Sequence, residues 1–295
     1  MKIDITLCTF QRAGVVETLR SIAQLDIPEG VDLGVIVVDN DHEPTALTRV
    51  RRAMADLAVR TRYLHAPAAN ISLARNAALE ASVADWIAFL DDDEVLSATW
   101  LKALLARQVT SGADAVFGHS RALYQSDAPP WIVVGDYHSN NVETRNGVVE
   151  TGYTCNALLR WSGTPWQGER FKLDLGRSGG EDTEFFFRLS RMGARFAIAD
   201  DALVYETIEP RRLSFNWLRQ RKFRMGQSYA CCARDLPAKI GLFATAGMKA
   251  AYCHMRALSV IINQERRNFW LLRGALHLGV CGGCLALPMR RLYGE

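Results

Sequence analysis

The first 120 residues alternate short β-branched runs with segments of helical periodicity. The pattern predicts strands at residues 3–8, 34–38, 61–64, 86–90 and 114–118. It predicts helices at residues 15–25, 45–59, 72–84 and 98–109. Because strands and helices alternate in the order βαβαβαβ, we expect a doubly wound α/β fold, with a mostly parallel sheet and helices on both faces.

The pattern changes twice further along the chain. Between residues 120 and 210 the periodicity weakens and Gly, Trp, Pro and Asn accumulate, as in loops that shape a second binding pocket. One helical segment is predicted there, over residues 179–192. After Pro210 the chain becomes basic and aromatic and then continues in helical apolar stretches without strand signals. We therefore predict three segments, 1–120, 121–210 and 211–295, the last of them helical.

The charge is unevenly distributed along the chain. Residues 211–295 contain 15 Lys and Arg against 3 Asp and Glu, a net charge of +12, so residues 1–210 carry −9 of the overall +3. A basic region of this kind predicts contact with an anionic surface. Nucleic acid is disfavoured because the chain has no finger spacing and no aromatic-basic reading module. An anionic membrane surface is the better candidate.

An apolar run at residues 271–289, flanked by arginines that include Arg290 and Arg291, is nearly as long as the about 20 residues that a spanning helix needs. It contains Arg273, His277 and Pro288, which disfavour spanning. We expect it to lie in the membrane interface, with packing on the preceding part of the chain or on a second subunit as the alternative. The number of subunits is not predicted.

The cysteines and the first residues bear on the compartment. The seven cysteines follow no disulfide framework, and MKIDITLCTF lacks the apolar stretch of a signal peptide. We therefore expect a cytoplasmic protein, peripheral on the inner face of the membrane. The single CxxC pair, Cys281 and Cys284, lies in an apolar small-residue stretch and favours packing over zinc or redox chemistry.

Four carboxylates, from Asp91 to Glu94, follow the apolar strand predicted at residues 86–90. Unpaired carboxylates so close together would raise one another's pKa, and a divalent cation would relieve that repulsion. Mg²⁺ or Mn²⁺ typically binds through one or two carboxylates together with substrate phosphates. The run therefore predicts a metal site, with an acidic turn that caps a helix at Ser97 as the alternative.

Other polar residues follow the remaining predicted strands, where the loops of such folds converge. GxGxxG and P-loop motifs are absent, so phosphate would be neutralised by metal and by arginine. Arg75 could neutralise this phosphate, or it could be an ordinary surface residue. Asp39 could accept from a base or ribose, or could form an Asx-turn. The pair Glu181 and Asp182 could be catalytic, or could stabilise a helix N-terminus.

Taken together, TFQR, VVDN, NISLARN, FLDDDE and GGEDTEFFFRL resemble the inverting family 2 of glycosyltransferases, which has the GT-A fold. NISLARN, FLDDDE, TGYTCNALLR, LGRSGGEDTEFF and RKFRMGQ further resemble the bacterial succinoglycan-type β-1,4-glucosyltransferases of exopolysaccharide assembly. The resemblance covers nearly the whole chain and weakens after about Ala230. It implies that residues 1–120 bind the nucleotide sugar and that residues 121–210 bind the acceptor and carry the catalytic base.

The resemblance also implies roles for single residues. Asp93 would ligate the metal, Asp91 would lie on its ribose side as a second ligand, and Asp182 would be the catalytic base, with Glu181 as its neighbour. Asp39 would contact uracil, and Arg75 the nucleotide or its phosphates. The implied donor site also includes Thr9, Arg12, Asn70 and Asp92. The implied acceptor or diphosphate contacts are Asn156, Arg221 and Arg224.

The resemblance implies transfer of a single sugar, glucose from UDP-glucose, to a lipid-linked oligosaccharide. Processive members carry a QxxRW motif, whereas residues 220–224 read QRKFR, which disfavours polymerisation. One alternative is a sugar nucleotidyltransferase, although those enzymes carry a Gly-rich basic loop where this chain reads TFQRAGVVE. The other is a membrane-associated scaffold of the same fold without catalysis, which the presence of Asp91, Asp93 and Asp182 disfavours.

Overall fold

The computed structural model describes residues 1–142, 144, 147–233 and 235–288. The chain forms two compact units that interleave along the sequence. Unit 1 comprises Met1–Leu123, Ser139–Arg177 and Phe185–Thr207. Unit 2 comprises Tyr124–His138, Ser178–Glu184 and Ile208–Glu295. The functional division at residues 120 and 210 stays a prediction, since the compact units follow other boundaries.

Unit 1 contains an eight-stranded sheet with the strand order β3-β2-β1-β4-β7-β6-β8-β5. Its strands are β1 Lys2–Thr9, β2 Asp32–Asp39, β3 Arg60–His65, β4 Trp86–Asp91, β5 Glu94–Leu96, β6 Ala115–Leu123, β7 Asn156–Arg160 and β8 Phe196–Thr207. β1 pairs in parallel with β2 and β4, and β2 pairs in parallel with β3. The five predicted strands are all present, and the α/β prediction is confirmed.

The second half of the sheet is mixed, and the sequence pattern missed three of its strands. β7 lies antiparallel between β4 and β6, and β5 pairs antiparallel with β8. β8 itself runs parallel to β6, with a register irregularity between Phe117 and His119. β5 has only three residues, too few to show a period. β8 contains the exposed pair Asp200 and Asp201, which breaks its apolar pattern.

Helices cover both faces of this sheet, as predicted. Alternate residues of β2 point to opposite sides, so Val35 and Val37 join one apolar core while Ile36 and Val38 join another. The first core also contains residues of α1, α2 and α4, and the second contains residues of α3. The helices of unit 1 are α1 Val15–Ile22, α2 Leu47–Met54, α3 Ile71–Ala81 and α4 Trp100–Ser111. Helix α5 Pro130–Gly135 belongs to unit 2, and α6 Glu181–Arg191 begins in unit 2 and continues in unit 1.

Unit 2 contains three longer helices after Pro210, so the predicted C-terminal helical region is confirmed. They are α7 Phe215–Tyr229, α8 Leu236–Ser259 and α9 Gln264–Cys284. Each helix begins with a side-chain cap, because Ser214, Asp235 and Asn263 accept hydrogen bonds from backbone N–H groups of their first turns. These three polar residues mark the helix starts in a stretch where composition alone gave no boundaries.

Helices α7 and α9 approach each other through glycine. A methyl group on Gly226 of α7 would overlap the carbonyl oxygen of Leu276, and one on Gly279 of α9 would overlap the carbonyl oxygen of Phe223. Leu272 and Val280 of α9 are also buried. The described part of the run 271–289 is thus partly packed inside unit 2, although Leu278, Leu285 and Leu287 stay 44–61% exposed. Its contact with a membrane stays a prediction.

Met289, Arg290 and Arg291, the end of that run and its second pair of flanking charges, lie outside the described residues. Within residues 1–142, 144, 147–233 and 235–288, no helix has the length and apolarity that crossing a membrane requires.

Candidate active site

The acidic run forms a tight turn between two strands of unit 1. β4 ends at Asp91, Asp92 and Asp93 make the turn, and β5 begins at Glu94. The backbone N–H of Asp91 donates to Oε2 of Glu94 over 3.1 Å, which closes the turn. Helix α4 begins only at Trp100, so the turn does not cap it. The side chains of Asp91 and Asp93 stay 43% and 24% exposed, within reach of a ligand.

Arg12, in the loop after β1, neutralises part of this turn. Its Nη1 lies 3.0 Å from Oδ1 of Asp92 and also pairs with Oδ2 of Asp93. Burial alone would lower the pKa of Arg12, but the charges of Asp93, Asp92 and Asp91 outweigh it and raise that pKa. Arg12 therefore stays protonated and holds the two loops together.

Two carboxyls in the turn are held in unfavourable surroundings. Burial raises the pKa of Asp92 to about 6, although the charge of Arg12 opposes the change. Burial also raises the pKa of Glu94 well above its usual range, and the charges of Asp91 and Asp93 raise it further. Concentrated negative charge of this kind is expected where a cationic ligand binds.

Arg75 reaches the same turn from helix α3. Its Nη2 lies 3.5 Å from Oδ1 of Asp91, and its guanidinium lies 5.6 Å from the ring centre of Phe171. Asn70 caps this helix, because its Oδ1 accepts from the backbone N–H of Leu73 over 3.2 Å. Arg75 is only 8% exposed, so it is not the ordinary surface arginine that was the alternative. A buried, oriented guanidinium is suited to phosphate or carboxylate.

Asp39 is fully buried, and the protein itself uses its carboxylate. Its Oδ2 accepts from the hydroxyl of Tyr63 over 2.8 Å and from the backbone N–H of Ala46 over 2.9 Å. Its Oδ1 accepts from the backbone N–H of Asp41 over 3.1 Å, as in an Asx-turn. The structural alternative for Asp39 is therefore present, and its contact with uracil stays a prediction.

Three further polar residues join the loops after β1, β2 and β3, and the sequence reasoning assigned none of them. Gln11 donates to Oδ1 of Asp41 over 3.0 Å. Asn40 donates to the carbonyl of Ala66 over 2.7 Å and accepts from the backbone N–H of Asn70 over 2.5 Å. In the sequence, their position directly after strands was the only indication that they belong to the site. That they connect the loops by hydrogen bonds is visible only in the three-dimensional structure.

The backbone of these loops is strained at two positions. Gln11 has a φ of 56° and Ala69 a φ of 45°. Both lie in the left-handed region, which residues other than glycine rarely adopt. Such strain persists only where surrounding contacts impose it, and it clusters at functional sites. The convergence of loops predicted at the carboxyl ends of the strands is thus present in unit 1.

Two of the predicted site residues lie inside the fold. Thr9, the last residue of β1, is 1% exposed and contributes to lowering the pKa of Asp92 against the larger effect of burial. Asn156 is also 1% exposed, and its amide accepts from Trp100 Nε1 and donates to the carbonyls of His119 and Ala202. Both ends of this amide are thus bonded within the fold, and a contact of Asn156 with the acceptor or the diphosphate stays a prediction.

Asp182 and Glu181 lie in unit 2, at the start of α6. Gly179 and Gly180, just before them, have φ of 84° and 89°, a conformation that glycine adopts without strain. The backbone N–H of Thr183 donates to Oδ1 of Asp182 over 2.6 Å. Asp182 thus lies at a helix N-terminus, where a carboxylate is favoured by the helix dipole. That electrostatic role and catalysis are compatible.

Helix α7 supports this segment through one of the two predicted arginines. Arg224 donates to the carbonyl of Ser178 over 2.5 Å, and its guanidinium fills the space above Gly179. Arg221 lies elsewhere on the helix, with its guanidinium 5.5 Å from the ring centre of Trp217. Within unit 2, Arg224 therefore positions the chain just before Asp182. Contacts of either arginine with acceptor or diphosphate stay predictions.

Among the described residues, no three His, Cys, Asp or Glu side chains come together closely enough to hold a metal ion. The donor set at the turn nevertheless suits a hard divalent cation, because Asp91 and Asp93 offer partly exposed carboxylate oxygens. Mg²⁺ and Mn²⁺ are commonly held by one or two carboxylates plus substrate phosphates. The residues present therefore fit the predicted cofactor.

The α/β sheet, with its acidic turn after β4, defines the GT-A class of fold. Residues 4–162 match Glycosyl transferase family 2, and the chain belongs to this family. It is 43% identical over 300 residues to the succinoglycan biosynthesis protein ExoM of Rhizobium meliloti (strain 1021), a match that covers 100% of this chain and 96% of ExoM. The resemblance seen in the motifs is confirmed.

Solved structures support the fold. The mannosyltransferase PcManGT from Pyrobaculum calidifontis, in complex with GDP-Man and Mn²⁺, is 17% identical with a TM-score of 0.64, over 95% of this chain and 86% of that one. S. aureus TarS 1-349, in complex with UDP-GlcNAc, is 15% identical with a TM-score of 0.54, over 98% of this chain and 93% of that one. At these identities the likeness establishes the GT-A fold alone.

Proposed function

We propose that this protein is an inverting, metal-assisted hexosyltransferase of bacterial exopolysaccharide assembly. It transfers one sugar from a nucleoside-diphosphate sugar to a lipid-linked oligosaccharide. The observation that carries the proposal is the turn after β4, where Asp91 and Asp93 keep exposed carboxylates against Arg12 and Arg75. The 43% identity to a succinoglycan biosynthesis protein supports the choice of pathway.

The loops of unit 1 bind the donor in this proposal. The guanidinium of Arg75 lies beside Asp91 and is buried, so its direction is already set before the nucleotide arrives. A side chain that is already oriented loses little conformational freedom when it binds a diphosphate, so Arg75 binds at a lower entropic cost than a mobile side chain would. Asp39 accepts from the hydroxyl of Tyr63 and so stabilises the loop that would hold the nucleotide. A direct contact of Asp39 with the base is part of the same proposal.

Asp93 and Asp91 would hold Mg²⁺ or Mn²⁺ together with the phosphates of the donor. A divalent cation there acts as a Lewis acid that stabilises the negative charge on the departing nucleoside diphosphate. Arg12 then has a structural task, since its ion pairs with Asp92 and Asp93 tie the β1 loop to the turn. These ion pairs orient the Asp93 side chain, so no other residue is needed to position it.

Asp182 is the proposed catalytic base. In an inverting transfer the acceptor hydroxyl attacks C1 of the sugar, the bond from C1 to the diphosphate breaks, and the hydroxyl proton passes to a carboxylate. The left-handed glycines and Arg224 hold the segment before Asp182, so its carboxylate starts from one defined backbone conformation. Glu181 is the second candidate for the same role.

UDP-glucose is the proposed donor because of the resemblance to succinoglycan-type glucosyltransferases. The related structures contain UDP-GlcNAc in one case and GDP-Man in another, so a test has to compare bases as well as sugars. We expect UDP-glucose with Mn²⁺ to raise the melting temperature of the protein more than UDP-galactose, UDP-GlcNAc or GDP-mannose does, since bound ligand stabilises the fold by mass action.

The decisive experiment measures transfer. The protein is incubated with radiolabelled UDP-glucose, Mn²⁺ and a bacterial lipid extract that contains diphosphate-linked oligosaccharides. We expect label in the lipid fraction and an equal amount of UDP released. Consumption of pyrophosphate with formation of a sugar nucleotide would instead identify a nucleotidyltransferase. No turnover of any donor in the presence of that extract would favour the scaffold.

A further inference from the structure

Helix α8 presents an apolar face that no described part of unit 2 covers. Six large apolar side chains recur along it at intervals of three to eight residues and are each 51–70% exposed: Leu236, Ile240, Met248, Tyr252, Met255 and Leu258. Single exposed apolar residues are normal on proteins, but a continuous row is not. Its length, most of a 24-residue helix, requires a partner of comparable extent.

The opposite side of α8 is already occupied. Ala246, Ala250, Cys253 and Ala257 are buried, and they recur at the spacing of one helix face. Apart from Tyr252, which contacts Trp270 of α9, the exposed row therefore does not pack on α9. The side of α8 that does pack carries these small buried residues. Ile262, just after the helix, is 97% exposed and extends the apolar row beyond its end.

The charge of this region identifies the partner. From residue 236 to residue 264 the chain contains no Asp or Glu, whereas it contains Lys239, Lys249 and Arg256. An apolar row flanked only by positive charge is suited to an anionic lipid surface, where acyl chains receive the apolar side chains and headgroups receive the cations. A protein partner with acidic patches would not need so continuous an apolar row.

An aromatic pair lies where such a helix would meet the headgroups. Tyr252 of α8 and Trp270 of α9 contact edge to face, with ring centres 5.6 Å apart, and Arg256 lies 5.6 Å from the Trp270 ring centre. Tyr and Trp are enriched at membrane interfaces because their rings are amphipathic. No helix in the described part of the chain can span a bilayer, so α8 would lie along the surface.

We propose that the row from Leu236 to Leu258 on α8 is a docking surface for anionic lipid. This narrows the expectation drawn from the sequence, which placed the membrane contact in residues 211–295 and singled out the apolar run 271–289. The proposal does not depend on the transfer reaction, because lipid binding can be measured without donor or acceptor. It would keep the protein at the membrane that holds a lipid-linked acceptor.

The test is co-sedimentation of the full chain with vesicles. We expect binding to vesicles of equal parts phosphatidylglycerol and phosphatidylcholine, and much weaker binding to phosphatidylcholine alone. Replacing Met248→Gln and Met255→Gln together should weaken binding by about tenfold or more, because two apolar side chains no longer enter the interface. The matched control is Val83→Gln with Val109→Gln, two equally exposed apolar residues of unit 1.

The charge is tested separately with Lys239→Gln and Lys249→Gln, each of which should weaken binding to anionic vesicles by about fivefold at low salt. Hydrogen exchange of the unchanged protein gives a readout without any variant, since vesicles should protect residues 236–262 and leave α4 unaffected. Failure of the unchanged protein to bind anionic vesicles would overturn the proposal. A dimer that the methionine variant abolishes, without vesicle binding, would show that a second copy covers the face.

Discussion

The loops of unit 1 and the helices of unit 2 are held together by different kinds of contact. In unit 1 the charged side chains after the strands are paired and at least partly buried, as Arg12 is with Asp92 and Arg75 with Asp91. In unit 2, α7 and α9 meet through glycine backbones, while α8 leaves apolar side chains exposed. Buried charge is costly unless it is paired, and exposed apolar rows are costly unless they are covered.

Both costs indicate where something else binds. In unit 1 the raised pKa of Asp92 and Glu94, caused first by burial, marks a place where a cation would lower the energy of the site. In unit 2 the row on α8 marks a surface that water solvates poorly. Variants in each unit can show whether unit 1 binds the donor and its metal. They can also show whether unit 2 supplies the catalytic base, depends on the close packing of α7 and α9, and binds lipid.

The largest effect is expected at Asp182, which would show that unit 2 also takes part in catalysis. Asp182→Asn should lower kcat by about 10²-fold or more, because the amide cannot accept a proton, while donor affinity changes little. Turnover and UDP binding are measured on the same preparation. The control is Glu181→Gln, and a larger loss of kcat in that variant would transfer the role of base to Glu181.

Asp93→Asn tests the donor chemistry of unit 1. We expect the affinity for UDP with Mn²⁺ to fall by about 10–100-fold, the range typical of perturbed metal sites, with little change in affinity for UDP alone. Calorimetric titration measures both. Asp26→Asn, which removes an exposed charge paired with Lys102, should leave both unchanged. Equal Mn²⁺-UDP affinity in wild type and Asp93→Asn would remove the metal assignment.

Glycine in unit 2 gives a third test, on packing alone. Gly279→Ala should lower the free energy of unfolding by about 1–3 kcal/mol, because its methyl group would overlap the carbonyl of Phe223. Gly247→Ala in α8, where nothing lies within 4 Å, should instead raise it by about 0.5–1 kcal/mol. Thermal and urea unfolding measure both. Identical signs would show that the α7–α9 approach is not tight.

His138 gives unit 2 a pH dependence. Burial, followed by the charge of Arg221, lowers the pKa of His138 to about 4, and its ring stacks on Trp217. The unfolded chain binds more protons between pH 6.5 and 4, so stability should be constant above about pH 6.5 and fall below it, by on the order of 3 kcal/mol at pH 4. His138→Phe should remove this part of the slope when urea unfolding is compared at pH 7 and pH 4.

The smallest effect is expected at Tyr63, which donates to the buried Asp39. Tyr63→Phe should cost about 0.5–1.5 kcal/mol of stability, the usual contribution of one hydrogen bond, and leave UDP affinity nearly unchanged. Asp39→Ala should weaken UDP binding and relax the preference for UDP over ADP. If UDP and ADP compete equally well against wild type and Asp39→Ala, Asp39 only braces the loop.

Much of this protein is determined by its sequence alone. The local pattern predicted β1, β2, β4 and β6 because each has an apolar run long enough to recognise. It also predicted β3, although Tyr63 and Leu64 are the only apolar residues of that strand. The family is contained in the order and spacing of short motifs such as FLDDDE and GGEDTEFFFRL. The acidic run itself indicated a cationic ligand, since like charges at adjacent positions repel in any conformation.

Only the tertiary structure decided which polar residues are bonded within the fold and which keep exposed atoms. Asn156 and Asp39 look the same in sequence as site residues, yet their hydrogen-bond partners lie up to 56 residues away and close around them. Likewise contact with α7 through glycine buries one side of α9, whereas α8 keeps an apolar row exposed. Burial depends on neighbours distant along the chain, which no local pattern contains.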